Sequence, residues 1–311
     1  MPRETHGTMR GRRTEPTVMP NVALVTARAA RDLDEDLPPL VAAFAEASVE
    51  LSVIDWDDAS TDWSRFDVAV LRSTWDYTQR LPEFLDWAEN TAAKTKLLNP
   101  IDVVRWNTDK HYLSQIAETG VPVVPSTFIE PGESASDALD DFLAASVGEF
   151  VVKPSVGAGS RDAQRYGHEN REAAQAHAQR LLDDGRSVLL QPYLNRVDEH
   201  GETALIYFDG TFSHAIRKGP LLRRGEGSTR ALFAAEHITP RAPSARELDV
   251  AQRTLAAIPF AQPLLYARVD LIHADDASPC VLELELTEPS LFFAHAPDSA
   301  RRFAGAILTR A

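Results

Sequence analysis

Three short apolar runs, NVALVTA (21–27), ELSVIDW (50–56) and DVAVLR (67–72), recur with segments of helical composition between them. That alternation constrains the fold more than any single motif. Strands separated by helices form βαβ units, and these build a parallel sheet whose ligand crevice lies beyond the carboxyl ends of the strands. Residues 37–47 and 81–95 read as the helices, and KLLNP stops the second at Pro100. The class is therefore α/β, with a Rossmann-like parallel-sheet unit expected over residues 21–104. The stretch LRSTWDY begins at a strand's carboxyl end, so Arg72, Ser73, Thr74, Trp75, Asp76 and Tyr77 are candidate substrate residues. The same cluster also reads as a helix N-cap with Trp75 packed beneath it.

Beyond residue 104 the pattern changes. A capped helix is expected around 109–118, ended by Gly120, then a strand rich in β-branched residues and a connector of Pro, Gly, Ser and Asp. A helix near 138–145, the strand FVVKP, a glycine loop, a helix over 170–184 and the strand SVLLQPYL follow. From Asn195 the strands ETALIYF, TFSHAIRK, YARVDLIH and CVLELEL alternate with one helix near 245–257. Units of 21–104, 105–194 and 195–311 fit ordinary domain sizes. Residues 1–20 carry four arginines against two glutamates with no hydrophobic period, and read as a disordered leader.

A net charge of −14 argues against a nucleic-acid partner and against anionic membrane surfaces, both of which need a basic face. No run approaches the length of a membrane helix and no secretory h-region opens the chain, so a cytoplasmic location is expected. The single cysteine, Cys280, excludes an internal disulfide and a cysteine metal site; within CVLELEL it reads as a small buried hydrophobe. Homo-oligomerisation is left open.

The loop VVKPSVGAGS resembles a phosphate cradle with its lysine on the opposite side of the glycines from a P-loop. Ser155, Gly157, Gly159 and Ser160 offer backbone N–H groups and hydroxyls, and Lys153 ends a strand as a point charge; a plain surface turn is the alternative. By the period of two, YARVDLIH puts Arg268 and Asp270 on one face, with Val269 and Leu271 on the other. CVLELEL likewise sets Glu283 and Glu285 against Leu282, Leu284 and Leu286. Three such carboxylates, if buried, repel one another without a counter-ion, and hard oxygen donors suit Mg²⁺ completed by nucleotide phosphates; a solvated strand face is the alternative. Gln191, Tyr193 and Leu194 end a strand in a linker whose backbone is suited to an adenine edge, with Glu202 placed for ribose hydroxyls and Asp198 or Glu199 as substitutes; a plain strand and turn is the alternative. Arg217 and Lys218 follow TFSHAI as candidate contacts to a substrate carboxylate or γ-phosphate, or as surface bases. His214 reads as a structural, partly buried histidine.

NTDKHYL with Lys110, VVKPSVGAGS with Lys153, LLQPYL, ARVDLI with Asp270, and LELELTEPS with Glu283 and Glu285 resemble, in that order, the ATP-grasp ligases over about residues 100–290. The resemblance implies an ATP-grasp fold, in which two α+β subdomains grip ATP between them. It also implies Lys110 and Lys153 as ATP lysines, a mobile Gly/Ser flap, and Asp270, Glu283 and Glu285 as ligands of Mg²⁺. Glu285 departs from the family, which usually has Asn there. DVAVLRSTWDYTQR, LLNPIDVVRWNTDKHYL and GETALIYFDGTFSHAIRKGP are more narrowly similar to the O-ureido-serine cyclo-ligases of D-cycloserine biosynthesis. That implies an amino-acid-like substrate whose carboxylate is activated as an acyl phosphate, with ring closure by the substrate's own nitrogen and with Lys153, Lys218 and Arg268 as catalytic groups. An intermolecular carboxylate–amine ligase and a nucleotide-binding protein without turnover are the rival readings.

Overall fold

The structure, a computed structural model, describes residues 19–145, 148–222, 237–261 and 263–311; the expected leader lies outside them except for its last two residues. The first unit contains β1 (Val22–Thr26), α1 (Leu37–Glu46), β2 (Leu51–Asp55), β3 (Val68–Ser73), α2 (Leu81–Ala92) and β4 (Lys96–Leu98). Its sheet runs β2-β1-β3-β4, parallel throughout. β1 and β3 are buried along their whole length because both faces are covered, as parallel sheets require. Val22, Leu24, Val68 and Val70 pack on Leu40 and Phe44 of α1, while Ala23, Val25, Ala69 and Leu71 meet Phe84 of α2 and the indoles of Trp56 and Trp63.

α3 (Ile101–Asn107) and α4 (Tyr112–Glu118) lead into β5 (Thr127–Ile129), α5 (Ala135–Ala145), β6 (Phe150–Pro154), β7 (Gln164–Tyr166), α6 (Arg171–Asp183) and β8 (Val188–Pro192). The helix expected at 109–118 is α4, starting at Tyr112; α3 precedes it without having been expected, and Lys110 lies in the turn between the two. The antiparallel sheet β5-β8-β6-β7 is covered by Leu139 and Phe142 of α5 and by Ala174, Ala178 and Leu181 of α6. The last unit holds α7 (Val197–His200), β9 (Glu202–Phe208), β10 (Thr211–Lys218), β11 (Ile238–Pro240), α8 (Ala245–Ala256), β12 (Tyr266–His273), β13 (Pro279–Glu285) and α9 (Ser299–Arg310). Its antiparallel sheet runs β11-β10-β9-β12-β13.

Two packing relationships run across the expected boundaries. Val103 of α3 and Tyr112, Leu113 and Ile116 of α4 share a core with Leu205, Val269, Val281 and Leu284 of the last sheet, while Ile101 and Val104 pack on the first unit. Phe303, Ala304 and Ile307 of α9, a helix absent from the sequence expectation, complete the layer on α1 of the first unit.

β13 is an edge strand, and its outer backbone groups are taken up by the backbone of residues 122–124 at Val281 and by side chains further on, rather than left for another chain. Asn107 Nδ2 donates to Leu284 O at 2.7 Å while its Oδ1 accepts from Leu286 N at 2.6 Å, and Tyr112 Oη accepts from Leu284 N at 2.9 Å. Asn99 Nδ2 donates to Leu286 O at 2.8 Å and to Tyr266 O at 2.9 Å. These bonds fix the strand that carries Glu283 and Glu285.

Candidate active site

A cleft of about 560 Å³ separates the two antiparallel sheets and is closed at one end by the first unit. Val151, Val197, Ile272 and Leu282 give it an apolar end beside Gln191, Pro192 and Tyr193 of the β8 linker. Leu282 was expected with Leu284 and Leu286 on the far face. The β12–β13 register shifts between Asp270 and Leu271, so Leu282 falls in a bulge and packs with Tyr193, Leu194 and Ile272 instead. Leu194 stays in that small cluster and does not line the cleft. Glu202 lines it, 3.0 Å from Lys218 Nζ. Asp198 is held by Tyr193 Oη and by Arg165, and neither it nor Glu199 lines the cleft.

Four cations from separate elements gather at the other end of this apolar patch: Lys110 from the α3–α4 turn, Lys153 from β6, Lys218 from β10 and Arg268 from β12. Lys110 Nζ lies 2.8 Å from Glu283 Oε1 and donates to Gly157 O at 2.6 Å. Lys218 Nζ is 2.6 Å from Asp270 Oδ2, and Arg268 Nε is 2.9 Å from Asp270 Oδ1 with a further bond to Glu285. Cross-strand pairing explains this grouping, since Arg268 stands opposite Glu285 and Asp270 opposite Glu283.

The charges distort one another's titration. Burial works against Lys110, yet Glu283 beside it holds its pKa above the ordinary lysine value. Burial pushes Lys153 down to about 8 despite Glu283, because Lys110 and Lys218 also oppose its charge. Burial, with Asp270 and Glu283 adding like charge, lifts Glu285 to about 8 against the pull of Arg268. Asp270 goes the other way: burial is outweighed by Arg268 and Lys218, which keep it below the usual carboxylate range.

Gly157, Gly159 and Ser160 line the cleft above these groups. Ser155 does not; it is 2% exposed, its N–H bonded to Ser187 O and its carbonyl to Lys110 N, so it anchors the loop's start. At the closed end Trp75 and Tyr77 line the cleft, but Arg72, Ser73 and Thr74 are 1%, 0% and 0% exposed and do not. Arg72 instead donates to Pro289 O at 3.1 Å, and Ser73 bonds Thr26 at 2.8 Å. Asp76 accepts from Trp56 Nε1 at 2.8 Å and is likewise off the lining. Arg217 alternates away from Lys218 on β10 and donates to His200 O and Glu199 O, so it braces α7. His214 is off the lining; it meets Leu291 O at 2.8 Å, and burial pushes it down to about 4.

Two residues of this region carried no assignment in the sequence. Asp36, 5% exposed, accepts the N–H groups of Leu291, Phe292 and Phe293 at 2.5, 3.0 and 2.8 Å, a clamp spanning some 255 positions that no local pattern signals. Glu288 lines the cleft beside Trp75 and Tyr77.

No three His, Cys, Asp or Glu among the described residues stand together in a ligating arrangement. Glu283 and Glu285 nevertheless face the cleft, with Asp270 directly behind, and an all-oxygen set of this size fits Mg²⁺, which takes one or two carboxylates and completes its shell with phosphates and water.

Two antiparallel sheets facing each other across lysines from both, with a parallel-sheet unit at one end, define an ATP-grasp fold. Solved structures of that class agree: the ATP-grasp ligase PsnB complexed with minimal precursor superposes with a TM-score of 0.64 at 18% identity, covering 94% of this chain and 100% of that one. D-alanine–D-alanine ligase from Bacillus anthracis complexed with ATP superposes with a TM-score of 0.66 at 15% identity, covering 94% and 97%. A family model for the D-cycloserine synthetase DcsG N-terminal domain matches residues 22–99. The cycloserine biosynthesis protein DcsG of Streptomyces lavendulae is 44% identical over 301 residues, 93% of this chain and 98% of that protein. A crystal structure of D-cycloserine synthetase DcsG, 43% identical, superposes with a TM-score of 0.88 over 93% of this chain and 99% of that one. The chain belongs to the DcsG family of D-cycloserine synthetases.

Proposed function

We propose that this protein is an ATP-dependent cyclo-ligase that closes O-ureido-D-serine to D-cycloserine, forming ADP and phosphate. The observation that carries the reading is the convergence of Lys110, Lys153, Lys218 and Arg268 beside a wall formed by Trp75 and Tyr77, in a chain 44% identical to DcsG over almost its whole length. The adenine lies in the apolar end along Gln191–Tyr193, and Glu202 takes the ribose hydroxyls. Lys110 and Lys153 hold the phosphates beneath the loop of Gly157, Gly159 and Ser160. Glu283 and Glu285, with Asp270, hold Mg²⁺, which neutralises charge on the transferring phosphoryl group when bound.

The substrate carboxylate attacks the γ-phosphorus and ADP leaves. Arg268 and Lys218 face the oxygens that gain charge in that step. The substrate nitrogen bonded to the side-chain oxygen then attacks the acyl carbon and gives up its proton as phosphate departs with the bonding pair; water cleaves the N–carbamoyl bond, returning hydrogen to the ring nitrogen and releasing carbamic acid. Because nucleophile and electrophile share one molecule, orientation within the walls supplies much of the acceleration. Enclosure by Trp75 and Tyr77 shields the acyl phosphate from hydrolysis.

The test is ADP release with O-ureido-D-serine and ATP–Mg²⁺, without any added amine, with the ring product identified by mass. Turnover under those conditions is expected. A requirement for a second amine assigns the chain to intermolecular ligation, and absence of ADP across a panel of amino-acid-like carboxylates assigns it to binding without turnover.

A further inference from the structure

Charge is ordered along the cleft. Its cations crowd the phosphate end, and the buried carboxylates there are matched: Glu283 with Lys110, Asp270 with Lys218 and Arg268, Glu285 with Arg268. Asp36 is matched by its three backbone donors. Glu288 differs. It is 7% exposed and lines the closed end; among the described residues its side chain has a neutral phenol, that of Tyr77, as hydrogen-bond partner, while Lys110 and Arg268 act on it from beyond ion-pair distance and are engaged by Glu283, Asp270 and Glu285. Its backbone is fixed, since Trp75 Nε1 donates to Glu288 O at 3.1 Å and Arg72 holds the next carbonyl, Pro289 O, at 3.1 Å.

A carboxylate at that depth is stabilised by an arriving cation, and burial has already lifted its pKa to about 7. An amino-acid substrate supplies one. Its carboxylate must point towards the lysines and Arg268 to be phosphorylated, and its α-ammonium, attached to the adjacent carbon, is repelled from those same cations towards the closed end. We propose that Glu288 receives the α-ammonium of the substrate, with Tyr77 aligning its carboxylate. This rests on the reading of the substrate as an amino acid, and adds the group that fixes which way round it lies.

The test compares O-ureido-D-serine with its counterpart bearing hydrogen in place of the α-amino group, 3-(carbamoylaminooxy)propanoate, by kcat/KM for ADP release. The unaltered enzyme is expected to favour the amino substrate by about a hundredfold or more, as expected for a buried charge pair. In Glu288→Gln that preference is expected to fall below about tenfold, and in Tyr77→Phe to fall at least about threefold. Loss of activity on both substrates by the same factor means that Glu288 is only structural and overturns the proposal. So does a fall in ATP–Mg²⁺ affinity with the preference intact, which places Glu288 among the phosphate groups. If the unaltered enzyme releases no ADP with O-ureido-D-serine, the cyclo-ligase reading fails by itself. The ammonium preference is then read by calorimetry on D-serine and other α-amino acids against their deamino counterparts, and a preference that persists in Glu288→Gln, or that the unaltered enzyme lacks, sinks the proposal.

Discussion

Lys110 Nζ lies 2.8 Å from Glu283 Oε1 and 2.6 Å from Gly157 O, so one ammonium joins the α3–α4 turn, the edge strand β13 and the glycine loop of the central unit. Lys110→Met breaks both connections. Removing one partner of a fully buried pair costs about 3–5 kcal/mol, and since the Glu283 side chain remains 24% exposed, about 1–3 kcal/mol is expected here. Chemical denaturation checks this, alongside an ATP Kd expected to rise at least about tenfold.

Lys153 sets function against stability. Its folded pKa of about 8 lies below the ordinary lysine value, so the unfolded chain binds more protons between those two values and stability rises with pH across that window. At neutral pH the charged amine destabilises the ligand-free fold. Lys153→Met is therefore expected to raise the melting temperature at pH 7 while abolishing ATP turnover; a lower melting temperature contradicts the assigned burial.

The same titration reaches nucleotide binding. ATP prefers the protonated amine, so its Kd is expected to weaken as pH rises through 8, approaching tenfold at pH 9. Isothermal titration across pH 7–9.5 tests it, with Lys153→Met as the control in which the dependence flattens.

Asp36→Ala leaves the N–H groups of Leu291, Phe292 and Phe293 without their acceptor. A loss of about 3 kcal/mol is expected, with Asp36→Asn intermediate because it keeps one acceptor oxygen. Since the clamped segment follows Glu288, KM for the carboxylate substrate is expected to rise more than the ATP Kd, which steady-state kinetics under saturating nucleotide separates.

Asn107→Ala orphans Leu284 O and Leu286 N on the edge of β13. About 2–3 kcal/mol of stability is expected to go. The strand carrying Glu283 and Glu285 loosens with it, so the metal concentration for half-maximal ADP release is expected to increase; an unaltered metal dependence means the remaining clamps of Asn99 and Tyr112 suffice.

What the sequence revealed depended on range. The strands and the carboxylate face of β12 and β13 follow from a period of two within a few residues, and so were legible. Leu282 escaped that rule because one extra residue in a pairing is invisible without the partner strand. Arg72, Ser73, Thr74 and Asp76 lie at the expected end of β3, but strand position does not separate groups that face a ligand from groups that brace the wall behind it. Asp36 and Arg72 find their partners more than 200 positions away, and α9 covers α1 from the far end of the chain. No local spacing carries such information.

The segment 288–293 is fastened from three directions: Trp75 and Arg72 hold its carbonyls at Glu288 and Pro289, Asp36 holds three of its N–H groups, and His214 meets Leu291 O. The opposite end of the cleft is roofed by a loop of glycines. The two ends therefore differ in compliance, and the enzyme is a rigid mould under a soft cover. Movement of that cover would leave the fastened segment undisturbed. A wall held this firmly suits a short molecule folded back on itself better than a chain or peptide amine that needs room made for it.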